Sequence, residues 1–174
     1  MNRASSKTLA VAGALLTVAM AIHVGAQQSP TIPDEHLYRA VFRRILAQEA
    51  FGDQIDAKGH SSANARAKFR RDAQLTDAED AALKAIAKAF GAADEANRQR
   101  LAQLVASLKD PGGKANPAAV GPELKRLQEE RSTMVLDSIA QLKARFGPSR
   151  FAALNGYVRS AIAPRVGYKK IEIK

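Results

Sequence analysis

The chain contains no cysteine and no tryptophan, and aromatic residues make up only 5% of its 174 residues. The absence of cysteine excludes disulfide bonds, thiol catalysis and metal sites built on thiolates. The length supports one domain that buries about two-thirds of the surface exposed by its unfolded chain. Stability must therefore come from a packed hydrophobic core rather than from cross-links.

Residues 1–26 have the pattern of an export signal. Arg3 and Lys7 form a basic start, residues 9–22 form an apolar run, and small residues precede a cleavage site after Ala26. Because the run is shorter than the roughly 20 residues that cross a bilayer, we expect cleavage rather than the alternative, an uncleaved anchor. We therefore expect an exported protein, periplasmic or extracellular, with no transmembrane segment after cleavage.

Residues 76–146 predict two long amphipathic helices packed as an antiparallel hairpin. The first helix opens with a capping box, in which Thr76 and Glu79 bond each other's amides. Apolar residues then recur at spacings of three and four, which places them on one face of each helix. These stripes are Leu83, Ile86, Phe90, Leu101, Leu104 and Leu108 in the first helix, and Leu124, Leu127, Met134, Val135, Ile139, Leu142 and Phe146 in the second.

Proline and glycine mark the ends of the two helices. Residues 110–113, Asp-Pro-Gly-Gly, end the first helix, and the connecting loop is expected to run to Gly121. Pro122 is then the predicted first residue of the second helix. Gly147 is expected to end that helix in a left-handed conformation, and Pro148 prevents its continuation.

Polar residues within the hairpin predict its exposed face. Asp80 with Lys84 and Asp94 with Arg98 are acid-before-base pairs four residues apart, the spacing of ion pairs on a solvated helix surface. Arg131 interrupts the second apolar stripe, and we expect its long stem to lie along the apolar surface.

Three shorter helices are expected around the hairpin. The first runs from Asp34, as its N-cap, to about Glu49, and Gly52 with Asp53 is expected to close it. The second covers residues 61–73 and has Phe69 as its only large apolar residue, and the third covers residues 149–162. Together these segments predict an all-α fold, a small helical bundle of four or five helices built on the long antiparallel hairpin.

The predicted domain organisation follows from these segments. A signal peptide covers residues 1–26, a disordered leader residues 27–33, a single α-helical domain residues 34–163, and a basic C-terminal tail residues 164–174.

Positive charge is concentrated at the C-terminal end. Residues 143–174 contain eight basic residues and one acidic residue, Glu172, within a chain whose net charge is +10. This basic end predicts docking on an anionic membrane surface or another polyanion, while a solvated basic surface without a ligand is the alternative. The candidate anion-docking residues are Lys143, Arg145, Arg150, Arg159, Arg165, Lys169 and Lys170. No nucleic-acid-binding motif is present, so we expect no specific nucleic-acid partner.

No pattern of catalytic, cofactor-binding or metal-binding residues is present. After the signal the only histidines are His36 and His60, which lack the spacing of zinc or di-iron sites. The adjacent carboxylates Glu129 and Glu130 diverge on a helix, and each follows a base by four residues, so we expect surface ion pairs there. The protein is therefore expected to be non-enzymatic and to need no cofactor.

Residues 75–79, Leu-Thr-Asp-Ala-Glu, resemble the Leu-Thr-x-x-Gln element of small periplasmic helical proteins that sense envelope stress or act as chaperones. Glu79 stands where that element has glutamine, and the place of a second copy reads Phe-Gly-Pro-Ser-Arg at residues 146–150. A capping box accounts for the same five residues. The resemblance implies an exported, basic protein built around long helices.

The leading hypothesis is a non-enzymatic exported helical protein, of the binding or the chaperone and stress type, that uses an apolar groove or its basic end. Its partner would be another envelope protein or an anionic surface. Docking of a basic domain on an anionic membrane is one alternative, and an enzyme with an unrecognised site is the other.

Overall fold

The computed structural model describes residues 32–109 and 117–167. The predicted signal, most of the leader, the closing residues 110–113 of the first hairpin helix, and both Lys169 and Lys170 lie outside these ranges. The helices are α1 Asp34–Ala57, α2 Ala63–Arg66, α3 Lys68–Asp72, α4 Asp77–Lys109 and α5 Pro117–Tyr157, followed by a π-helical turn Val158–Ile162 and a 3-10 turn Ala163–Arg165. The described residues contain no strand, and the prediction of a small all-α bundle is confirmed.

The long helices α4 and α5 form the predicted antiparallel hairpin. Asp94 contacts Arg131, and three residues later Asn97 donates to the backbone carbonyl of Leu127, so residue numbers rise along one helix as they fall along the other. The capping box at the start of α4 is confirmed. The Thr76 amide donates to Glu79 at 2.8 Å, and the Glu79 amide donates to the Thr76 hydroxyl at 3.2 Å.

Helix α5 begins five residues earlier than predicted, so the expectation that Pro122 starts it is wrong. Pro117 takes the first helical position, where the missing amide hydrogen has no intrahelical acceptor in any case. Pro122 lies one turn further in and removes one ladder hydrogen bond. At the other end Gly147 breaks the helix as predicted, with φ 73°, although its ψ of 168° is extended rather than left-handed helical.

The N-terminal end of α1 differs from its prediction. Pro33 is the N-cap and no side chain caps the helix, so Asp34 is the first helical residue. The Asp34 carboxylate instead pairs with Arg159, which follows α5. The predicted capping role of Asp34 is therefore wrong, and its charge joins two distant elements.

Helix α1 also continues past Glu49 to Ala57, because Arg66 supports the additional turns. The Arg66 guanidinium bonds Glu49 at 2.7 Å, Asp53 at 2.6 Å and Asp56 at 3.0 Å, three carboxylates on successive turns. Its side chain crosses Gly52 so closely that a Cβ atom there would lie 2.8 Å from Arg66 Cζ. Gly52, which indicated a helix end in the sequence, therefore lies where the Arg66 side chain of α2 passes over α1.

The single helix predicted for residues 61–73 is divided into α2 and α3 at Ala67. Phe69 on α3 is 2% exposed and packs edge-on against Tyr157, with ring centroids 5.6 Å apart. This contact anchors the weakly apolar segment to the end of α5.

The few aromatic residues are concentrated where α1 crosses the hairpin. Phe42 on α1 meets Phe90 on α4 at 5.2 Å between ring centroids, and Tyr38 stacks on Phe151 at 5.8 Å. Burial raises the pKa of the Tyr38 hydroxyl, with the Asp34 charge acting in the same direction. The surrounding core consists of Leu37, Val41, Ile45, Leu83, Ile86, Ala87, Val135, Ile139, Leu142, Phe146, Leu154, Val158 and Ile162.

Candidate functional site

Two members of the predicted basic end are held in intramolecular ion pairs. Arg150 donates to both carboxylate oxygens of Glu79, at 2.7 and 2.8 Å, and also to the backbone carbonyl of Gln74 at 2.9 Å. Arg159 pairs with Asp34. These guanidinium groups fasten the C-terminal segment to α4 and α1, which reduces the charge available to an external anion.

The other members of the basic end have different surroundings. Lys143 places its ammonium group 5.3 Å from the centroid of the Phe151 ring, a cation–π contact. Arg145 and Arg165 are exposed and form no ion pair with any residue that the structure describes. Lys169 and Lys170 lie outside the described residues.

A buried carboxylate holds the centre of the hairpin to α1. Asp94 is 4% exposed, and its two oxygens accept from Arg43 at 2.9 Å and from Arg131 at 2.6 Å. Burial alone would raise the pKa of Asp94, but the hydrogen bonds from Arg131 and then Arg43 outweigh it and leave the pKa below its ordinary value. The carboxylate therefore stays charged and joins three helices.

Arg39 is a third arginine beside this pair. Its Nε atom is buried without a hydrogen-bond partner, and no described residue forms an ion pair with it. Burial lowers its pKa, the nearby charges of Arg131 and Arg43 lower it further, and only Glu35 and Asp94 oppose them. We refer to Arg39, Arg43, Arg131 and Asp94 as the arginine cluster.

One member of this cluster, Asp94, lies elsewhere than the sequence predicted. It was expected to pair with Arg98 on an exposed face, but it is buried, and Arg98 pairs with Glu95 at 3.2 Å. For Arg131 the sequence predicted only the course of its stem, and the structure shows that its Nε donates to Asp94. The signal in the sequence was the pair of polar interruptions, Asp94 and Arg131, at facing positions of two otherwise apolar stripes.

Beyond the arginine cluster the hairpin continues as two helices, and no third helix of the described residues covers it. We call this part, residues 97–109 of α4 and 117–130 of α5, the distal hairpin. Val120 and Leu127 are buried in its seam, whereas Leu101 and Leu104 are only half-buried. Two helices alone cannot enclose their apolar stripes, so the described part of the chain leaves apolar surface open beside the seam.

Concave surfaces flank the hairpin both beside the cluster and beyond it. One is a groove of about 570 Å³ with a floor formed mainly by Ala93, Ala96 and Met134. Another of about 530 Å³ is lined by the apolar residues Leu101, Ala102, Val105 and Ala106 between Arg98 and Arg131.

Charged side chains border the first groove in neutralised pairs. Glu130 pairs with Arg126 and with Arg100, and Glu129 lies 3.7 Å from Lys125. The prediction that Glu129 and Glu130 form surface ion pairs is confirmed. Their pairing leaves the groove with an apolar floor and a balanced charged rim.

His36 has its Nε2 atom 3.2 Å from the Glu35 carboxylate. The side chains of Glu35 and His36 are long enough to meet, although adjacent residues of a helix point in different directions. Across residues 32–109 and 117–167 there is no group of three or more histidine, aspartate or glutamate side chains arranged to hold a metal ion.

No protein-family model, curated protein or solved structure matches this chain. Within the described part of the chain no helix has the length and apolar character needed to cross a bilayer.

Proposed function

We propose that this chain is a non-enzymatic binding protein of the chaperone or stress type, and that its distal hairpin holds an amphipathic helical segment of a partner. The observation that carries the proposal is that, within residues 32–109 and 117–167, no third helix covers the hairpin beyond the arginine cluster. Leu83 and Phe90 of α4 are buried beneath α1, whereas Leu101 and Leu104 of the same stripe are only half-buried.

The part of the hairpin that α1 covers indicates what kind of partner would fit the distal hairpin. Helix α1 covers the hairpin with an apolar face that includes Val41, Phe42 and Ile45, and it places Arg43 on Asp94 at the edge. A partner helix with the same layout, an apolar stripe between charged edges, would bury the half-exposed leucines and Val105. The two arginines that border the groove of Leu101 and Val105 are already paired, Arg98 with Glu95 and Arg131 with Asp94, so apolar contact rather than net charge would supply most of the affinity.

The experiment measures suppression of aggregation of reduced, unfolding α-lactalbumin by light scattering. Val105→Glu places a charge in the apolar surface of the distal hairpin and should abolish suppression. The matched control is Leu136→Glu, because Leu136 is 52% exposed and Val105 38%, and Leu136 lies on α5 outside the distal hairpin. Equal suppression by the two variants, or none by the parent protein, would contradict the proposal.

Export is part of the proposed function. The basic start, short apolar run and small residues before position 27 support cleavage after Ala26. Intact-mass measurement of protein recovered outside the cytoplasm should give a chain that begins at Gln27. A mass that retains residues 1–26 would instead support the anchor.

Docking on an anionic membrane is the second candidate, and the exposure of Arg145 and Arg165, which no described residue pairs, favours it. Each basic residue near an anionic bilayer contributes about 1 kcal/mol, so a few such residues predict modest, salt-sensitive binding. Changing Arg145, Arg165, Lys169 and Lys170 together to glutamine should abolish binding to phosphatidylglycerol vesicles. This set leaves the structural ion pairs of Arg150 and Arg159 intact, so a loss of binding cannot be attributed to their disruption.

A further inference from the structure

We propose that the pocket between the first half of α1 and the 3-10 turn binds a small phosphate-type oxyanion. The pocket has a volume of about 460 Å³ and is lined by His36, Arg39, Ala40, Arg43, Val166 and Gly167. It is distinct from the distal hairpin, and the inference does not depend on the function proposed above.

Hydrogen-bond donors outnumber acceptors beside the pocket. Asp94 has two carboxylate oxygens, and these accept from Arg43 and Arg131. Arg39 is left without an acceptor among the described residues, although its Nε is shielded from solvent. Buried polar groups in proteins nearly always have a hydrogen-bond partner, whereas Arg39, which lines the pocket, has donors that no described residue matches.

Positive charge is also in excess there. Three arginines, Arg39, Arg43 and Arg131, lie together with the carboxylates of Asp94 and Glu35, which leaves one positive charge in excess. The Glu35 carboxylate also contacts His36 at 3.2 Å. The arginines repel one another enough to lower the pKa of Arg39, after the larger effect of burial. A bound anion would relieve this repulsion.

The donors have a geometry that suits phosphate. A guanidinium group presents parallel N–H donors that match the oxygens of phosphate, and Arg43 keeps 47% of its side chain accessible while one nitrogen bonds Asp94. Arg39 and Arg43 stand four residues apart on α1, so they project from the same face of the helix. Two such groups that line one small pocket favour a compact oxyanion over an extended polymer.

The test compares thermal unfolding of the purified protein in sodium phosphate and in sodium chloride at equal ionic strength. At a phosphate concentration ten times the dissociation constant, the midpoint should rise by roughly 3–6 °C relative to chloride. Arg39→Met keeps the stem of the side chain but removes its charge and donors, so it should abolish that rise. Arg71→Met makes the same chemical change at an exposed arginine on α3, outside the pocket and outside the basic end, and phosphate should raise its midpoint as much as it raises that of the parent.

The thermal unfolding midpoint in chloride alone provides a second readout. In chloride, Arg39→Met should unfold at a higher temperature than the parent, because it removes an unpaired buried donor and a repelled charge. The inference is overturned if phosphate raises the parent midpoint no more than chloride does, if Arg39→Met retains the full rise, or if sodium acetate raises the midpoint as much as phosphate. The effect of Val105→Glu on the aggregation of α-lactalbumin has no bearing on these three results. Either proposal can therefore fail while the other stands.

Discussion

Arg150 and Glu79, 71 residues apart in the chain, form a two-point ion pair with nitrogen–oxygen distances of 2.7 and 2.8 Å. The same carboxylate caps α4 by accepting from the Thr76 amide. The hydrogen bonds from Arg150 lower the pKa of Glu79 to about 2, with the contacts to Thr76 acting in the same direction. One side chain therefore begins α4 and ties it to the segment after Gly147.

This relationship predicts a specific dependence of stability on pH. Because the folded-state pKa of Glu79 is lower than its ordinary value of 4.5, its contribution is present above about pH 4.5 and is lost as the pH falls towards 2. Glu79→Gln should lower the free energy of unfolding by about 1 kcal/mol at pH 7, a size typical of partly exposed pairs, and by much less at pH 2.

Denaturant unfolding at the two pH values measures the effect of Glu79→Gln. Glu129→Gln is the matched control, because Glu129 lies in a looser pair at 3.7 Å on an exposed surface. It should change the free energy of unfolding by less than about 0.5 kcal/mol at either pH. A loss for Glu79→Gln that does not change with pH would contradict a stabilising role for the Glu79 charge.

Removal of the charge on Asp94 should destabilise the protein more than any surface change. Asp94→Asn leaves Arg43 and Arg131 without a counter-charge, and we expect a loss of about 2–4 kcal/mol, reduced from a fully buried pair because Arg43 is partly accessible. Chemical denaturation measures this loss. Asp137→Asn, at an exposed site on α5, should have almost no effect. Similar losses for both variants would show that the Asp94 carboxylate does not hold the helices together.

The two halves of the hairpin should differ in their tolerance of core truncation. Ile139→Ala removes a side chain that is 4% exposed and should cost about 2–5 kcal/mol. Leu104 is half-buried in the distal hairpin, so Leu104→Ala should cost only about 1 kcal/mol. Leu127→Ala, at a buried position of that same part, should cost more than Leu104→Ala. Urea unfolding of the three variants tests this ranking, and equal costs at positions 104 and 139 would mean that something covers the distal hairpin in solution.

Periodicity was sufficient to predict the fold, whereas the arginine cluster depended on contacts that local spacing does not encode. The apolar stripes and the capping box at Thr76 predicted the hairpin because both signals are local. The partners of Asp94 lie 51 and 37 residues away, on α1 and α5, so a nearer base at Arg98 looked equally suitable. Likewise, Gly52 resembled a helix end because the sequence does not show that Arg66 passes over it.

The last prediction concerns Gly52. Alanine should destabilise the protein at Gly52, whereas it should stabilise the protein at a helical glycine that has space for a Cβ atom. Gly156 is a helical glycine of α5 at which an added Cβ atom would meet no heavy atom within 4 Å beyond its neighbours in the chain, and Gly156→Ala should raise the free energy of unfolding by about 0.5–1 kcal/mol. Gly52→Ala should lower it, because the new methyl group displaces the Arg66 side chain that bonds Glu49, Asp53 and Asp56. In an Arg66→Ala background the clash disappears, and Gly52→Ala should become stabilising. Thermal unfolding of the double-mutant cycle measures the coupling, and a Gly52→Ala effect that is the same in both backgrounds would rule out the crossing side chain as its cause.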